Sequence, residues 1–119
     1  MIKDYSEEIK KKVKFYDKDK IIFTKNNPDL IFKRVNISEE EIKDEIFNSI
    51  GLVFVNKQEV EFKETKEIRC ACYHIRSNSK GRCYILNFNH QIKVITAFPI
   101  GRKTLNKYRK KFKWRNLKN

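Results

Sequence analysis

The sequence predicts an α+β fold: an antiparallel sheet of four to five strands with two helices packed on one face, an extra N-terminal helix and a basic C-terminal helix. Three observations lead there. Up to Gly51 the apolar residues recur at helical spacing, most clearly at Ile42, Ile46 and Ile50. From Leu52 the period changes to two. Helical spacing then returns at Leu105, Tyr108 and Phe112.

The elements follow in order. Ser6 with Glu7 and Glu8 reads as a helix start with acids in the first turn, and Ile9, Val13 and Tyr16 carry its apolar side to about Asp17. Ile21 to Thr24 is a short strand. Asn27 before Pro28 caps a helix that reaches Val35, with Pro at the first helical position. Ser38 followed by Glu41 forms a capping box for the next helix, and Gly51 stops it. Strands are expected at Leu52 to Val55, Ile68 to Arg76, Arg82 to Phe88 and Ile92 to Phe98. The polar stretch Val60 to Thr65 reads as an edge strand or a long hairpin arm. Residues 77–81 and 89–91 are the turns. From Thr104 an amphipathic, very basic helix runs toward Trp114.

A chain of 119 residues suits a single domain, with 1–18 as the additional N-terminal helix and 102–119 as the basic helix or tail. It is long enough to bury a core without disulfides or metal. No apolar run approaches the ~20 residues that span a bilayer, and the N-terminus has no apolar leader segment. The expected compartment is the cytoplasm, with no membrane partner. Cys70, Cys72 and Cys83 are then reduced thiols, which their odd number also favours. A zinc site at Cys70, Cys72 and His74 is disfavoured. Alternate strand residues stand about 6.6 Å apart, too far for one tetrahedral ion to reach all three.

Charge is the most informative property. The last acidic residue is Glu67, and the 52 residues beyond it hold 14 Lys and Arg and no Asp or Glu. The first 67 residues sum to −1. A one-signed field of this size attracts polyanions, and nucleic acid gains further from counterion release. The RNA-contacting candidates are Arg76, Lys80, Lys103, Lys107, Arg109 and Lys110. The turns imply a register that places Arg76 opposite Arg82, His74 near Tyr84 and Tyr84 near Thr96. These residues would then share one face at one end of the sheet, where Arg102 and the helix bearing Tyr108 begin. Arginines with His and Tyr suit phosphodiester cleavage without metal, one group taking the 2′-hydroxyl proton and another protonating the leaving oxygen. With no carboxylate in this half, a Mg²⁺-dependent route is not expected, and no metal or other cofactor is called for.

The segment from Val94 to Tyr108, in which a strand runs into Gly101, Arg102 and Lys103 with Tyr108 six residues beyond Arg102, resembles the end of RelE/ParE-type toxins. The stretch from Phe23 to Leu52 is similar to the helical part of BrnT-like and related small toxins. It departs from them at Asn26-Asn27, where relatives of that kind carry His-Ala. The resemblance covers roughly residues 20–112. It implies a ribonuclease toxin of a toxin–antitoxin pair, acting on mRNA, on the ribosome or off it, with an acidic antitoxin as partner. Carried over by position, Arg102 would contact the scissile phosphate, and Tyr108 would stack on a base or move a proton. Arg82 would be the strand arginine of the site, with His74 a further catalytic candidate. Two other readings compete: a non-catalytic nucleic-acid-binding protein on the same fold, and a ParE-like toxin that binds a protein target.

Overall fold

The computed structural model describes residues 3–24, 28–62, 64–77 and 80–118. The elements are α1 (Ser6–Val13), β1 (Ile21–Phe23), α2 (Pro28–Val35), α3 (Glu39–Phe47), β2 (Leu52–Phe62), β3 (Thr65–Ile75), β4 (Gly81–Phe88), β5 (Ile92–Pro99) and α4 (Arg102–Lys118). The expected Asn27 cap, the Asn26-Asn27 departure and the Phe112 side chain lie outside the described residues.

The α+β class stands. The five strands form one sheet in the order β1-β5-β4-β3-β2. Consecutive strands β2 to β5 pair antiparallel, as short turns require. β1 differs from the expected antiparallel pattern, since it lies parallel to β5 with Ile21 beside Ile92. Two helices and three strands separate these partners in sequence, so no turn dictates their direction.

The sheet is covered on both faces. Ile9 and Val13 of α1, Ile31 and Val35 of α2, and Ile42 and Ile46 of α3 meet Val55, Cys72, Tyr84, Leu86 and Val94 on one face. The N-terminal helix is therefore part of the main core. Asp4 fixes it in place: one carboxylate oxygen accepts from the Ser6 and Val55 amides, at 2.9 and 3.0 Å, and the other from the Ser6 hydroxyl. The side chain that caps α1 is thus Asp4 rather than Ser6. The opposite face carries a smaller cluster, in which Leu105 of α4 packs with Val53, Phe54, Ala71, Ile75, Cys83 and Ile100.

Local signals set the helix ends. The Ser38 hydroxyl accepts from the Glu41 amide at 3.2 Å, as the capping box requires. α3 stops at Phe47, earlier than its apolar stripe suggests, and Ser49 and Gly51 turn the chain with φ of 52° and 69°. The expected strands at Leu52 and Val60 are one continuous strand of 11 residues. Its outer half is polar, so the apolar alternation that marks a strand fades there although the pairing continues.

Candidate functional site

α3 turns one carboxylate inward. Glu45 is 2% exposed, on the same helical stripe as Ile42 and Ile46. Its oxygens accept from Arg82 Nε at 3.2 Å, Arg82 Nη2 at 2.8 Å, Arg76 Nη1 at 3.4 Å and the Tyr84 hydroxyl at 3.1 Å. A two-pronged guanidinium contact fixes the plane of Arg82. Burial works against the Arg82 charge, and the Glu45 carboxylate outweighs it, raising the guanidinium pKa. Burial, reinforced by the negative charge of Glu45, raises the Tyr84 phenol far above its ordinary value. Tyr84 is therefore a neutral donor, unsuited to act as a base at neutral pH.

His74 belongs to the same buried layer. Its Nδ1–H donates to the Ile50 carbonyl at 2.7 Å, and its ring meets Tyr84 edge-on at 5.2 Å. It is 2% exposed. Burial lowers its pKa, and the charges of Arg82 and Arg76 act in the same direction against the pull of Glu45. The imidazole is thus held neutral, tethering β3 to the end of α3.

The register explains which expected neighbours meet. Arg82 faces His74 and Tyr84 faces Cys72, a shift of two residues from the register the turns imply, so the shared face survives. Between β4 and β5 a bulge intervenes: Ile85 faces Thr96, yet Leu86 faces Val94. One extra residue reverses every side chain beyond it. Tyr84 consequently faces Ala97, and Thr96 points to the α4 side, away from His74. Glu45 is the residue that sequence reasoning missed. Its signal was a carboxylate within a buried stripe, at i+3 from Ile42 and next to Ile46.

A cleft of about 240 Å³ opens at this end of the sheet, lined by Asn36, Ile37, Lys80, Gly81, Arg82 and Pro99. The Lys80 side is exposed, and the Arg82 side chain is 14% exposed. Tyr108 is elsewhere. It stacks on Phe54 at 5.0 Å and leans on Tyr73 at 5.7 Å, on the α4 face of the sheet. The sheet therefore separates Tyr108 from Arg82 and His74, which the sequence had gathered at one end.

Arg102, Lys103, Lys107 and Lys110 are exposed on α4, and Arg109 is half-buried with its guanidinium on the Asn106 side chain at 3.3 Å. Lys107 also lies over the Tyr108 ring, 5.4 Å from its centre. Among the described residues these cations face no carboxylate partner, while Lys10, Lys18, Lys43 and Lys57 of the first half are all ion-paired.

Cys70 and Cys72 face α1 to α3, and Cys83 faces α4. Burial raises all three thiols, Cys83 to about 12. A thiol reagent is expected to leave the native protein unlabelled and to titrate three thiols after unfolding. Fast labelling of the native protein would mean that the sheet opens locally. No protein-family model, no curated protein and no solved structure matches this chain.

Proposed function

We propose that the protein binds RNA through the exposed cations of α4. The observation that carries this reading is the row Arg102, Lys103, Lys107 and Lys110, exposed on one helix and without carboxylate partners among the described residues. Unneutralised cations at this density gain most from a phosphate backbone, because each contact releases a condensed counterion. Arg76 and Arg82 are less suited to that role, because Glu45 already holds them.

A second reading is the metal-independent endoribonuclease of a RelE-like toxin, on the ribosome or on free mRNA, with an acidic antitoxin neutralising the α4 cations. The observation in its favour is the cleft at the sheet end, concave and walled by Lys80 and Arg82. Against it stand the burial of His74 and the position of Tyr108 across the sheet from Arg82.

One experiment separates the two. RNA binding is measured by fluorescence anisotropy over a salt series, with cleavage followed in EDTA on free RNA and on translating ribosomes. Changing Arg102, Lys103, Lys107 and Lys110 together to Gln is expected to flatten the log–log salt dependence by about 3, at roughly 0.7 per lost single-strand phosphate contact. An unchanged slope would remove the α4 assignment. Cleavage in EDTA that is lost in Arg82→Ala would establish the second reading instead.

A further inference from the structure

β2 is the terminal strand of the sheet, so its outer edge presents backbone amides and carbonyls sideways. The near end of that edge is closed. The Val55 amide donates to Asp4 Oδ1 at 3.0 Å, and the Val55 carbonyl accepts from the Tyr5 amide at 3.0 Å. Backbone groups alternate along a strand, so those of Lys57, Glu59 and Glu61 point the same outward way. The β2–β3 register is regular from Phe54 to Phe62, which keeps that alternation intact. Among the described residues no other segment pairs with this stretch.

Beyond Lys57, whose partner Cys70 is still paired to Leu86 of β4, the stretch also lacks a third strand. β4 meets β3 only at residues 70–75, whereas β2 and β3 continue pairing out to Phe62 and Thr65. The outer half of the hairpin is therefore a two-stranded ribbon beyond the sheet. A ribbon of two strands is marginal in water and gains most from a third.

Charged residues on an edge ordinarily deter pairing. Here their order matters. Laying the strand against a second, antiparallel copy centred on Glu59 puts Lys57, which also holds Glu8 of its own chain, opposite Glu61 of the other copy, twice. Opposite charges directly across strands stabilise the pair. Glu59 meets its own counterpart, the one like-charge contact, and Lys66 sits 3.6 Å from each Glu59. This centring also leaves the closed Val55 position outside the paired stretch.

The charge of the whole chain points to the same surface. Two copies of a +13 protein repel each other over most approaches. Residues 57–67 hold three Lys and four Glu, so two copies meeting at the ribbon face less local repulsion than at the basic surfaces.

We propose that the outer edge of β2 from Lys57 to Glu61 is a self-association strand, joining two copies of this chain into one continuous sheet. The pairing makes six backbone hydrogen bonds, two at each of the facing pairs 57–61, 59–59 and 61–57. It does not depend on the RNA reading.

Sedimentation equilibrium of the full chain over a concentration series tests it, with far-UV circular dichroism to verify folding. The native chain is expected to dimerise reversibly. Glu59→Pro removes the central outward amide and leaves the bonds to β3 in place, since that amide does not face β3. It is expected to weaken association about tenfold or more, the equivalent of one to three net hydrogen bonds. Glu59→Gln removes the like-charge contact and is expected to tighten the dimer. Glu61→Lys sets Lys57 against Lys and is expected to loosen it. If Glu59→Pro does not fold, the two glutamate charge variants decide. A native chain that stays monomeric at all concentrations would overturn the proposal. So would a dimer that none of the folded variants alters.

Discussion

Glu45→Ala is expected to lower the unfolding free energy by about 3–5 kcal/mol, read from urea transitions. The physical reason is the set of groups left behind. Arg82 is 14% exposed and would keep its charge with its nearest carboxylate gone. The Tyr84 hydroxyl, on a side chain at 0% exposure, would lose its acceptor. A buried donor without an acceptor adds a further penalty of about 1–3 kcal/mol when nothing relaxes to meet it. Arg76→Ala supplies the comparison. That guanidinium is 40% exposed, so its removal is expected to change stability by less than about 1 kcal/mol. Replacing Glu45, Arg82 and Tyr84 together with Leu, Met and Phe is expected to recover most of the loss, because no buried charge or hydroxyl is then left without a partner and the ion pair does little more than repay its desolvation cost. A Glu45→Ala protein within about 1 kcal/mol of the native chain would mean that water or relaxation reaches this layer. The same folded variants also probe function. If RNA is held by α4, the salt dependence of binding stays unchanged when Glu45 is lost. If RNA enters the cleft beside Arg82, binding changes with it.

Gly51→Ala has the second largest expected effect, a loss of about 3 kcal/mol or more in thermal or urea unfolding. Gly51 sits at φ 69°, where a side chain is strained. A methyl group there would also overlap the Ile75 carbonyl oxygen. The backbone has no room to yield, because the Gly51 carbonyl accepts from the Ile75 amide at 2.8 Å and so locks the turn against β3. The left-handed conformation alone accounts for about 1–3 kcal/mol, and the overlap adds to it. Gly101→Ala is the control: an added methyl there meets nothing within 4 Å. It is expected to fall within about 1 kcal/mol of the native protein. Equal effects at the two positions would show that the turn before β2 rearranges freely.

Both predictions concern residues whose importance was unevenly visible in the sequence. Gly51 was legible as a stop, because a glycine after an apolar helical stripe has a local meaning. Its tight contact with Ile75 was not, since that depends on where β3 runs. Glu45 was passed over for a related reason. A carboxylate four residues before Ser49 looks like ordinary surface until Arg82, 37 positions away, is seen to meet it. The expectation that this half of the chain lacked a carboxylate was right for residues 68–119 and misleading for the site. The site borrows its carboxylate from α3.

The catalytic candidates show the same division. Arg82, Arg76 and His74 were expected to share a face, and they do, because a register shift of two preserves faces. Thr96 was lost to a single bulged residue. Tyr108 was placed correctly on an amphipathic helix, yet spacing along α4 cannot say which side of the sheet that helix covers. That choice follows from Leu105, which nests against Gly81 and Ile100 on the face opposite α1 to α3.

What the sequence by itself determined was the type and order of the elements and the concentration of positive charge beyond Glu67. These properties are written in spacing over a few residues or in simple counts, and both are local. Only the tertiary structure decided the parallel place of β1, the face chosen by α4, the open ribbon edge of β2 and the convergence of two arginines and a tyrosine on Glu45. Each of these depends on contacts between distant segments or on one inserted residue, and one residue is enough to reverse a strand face.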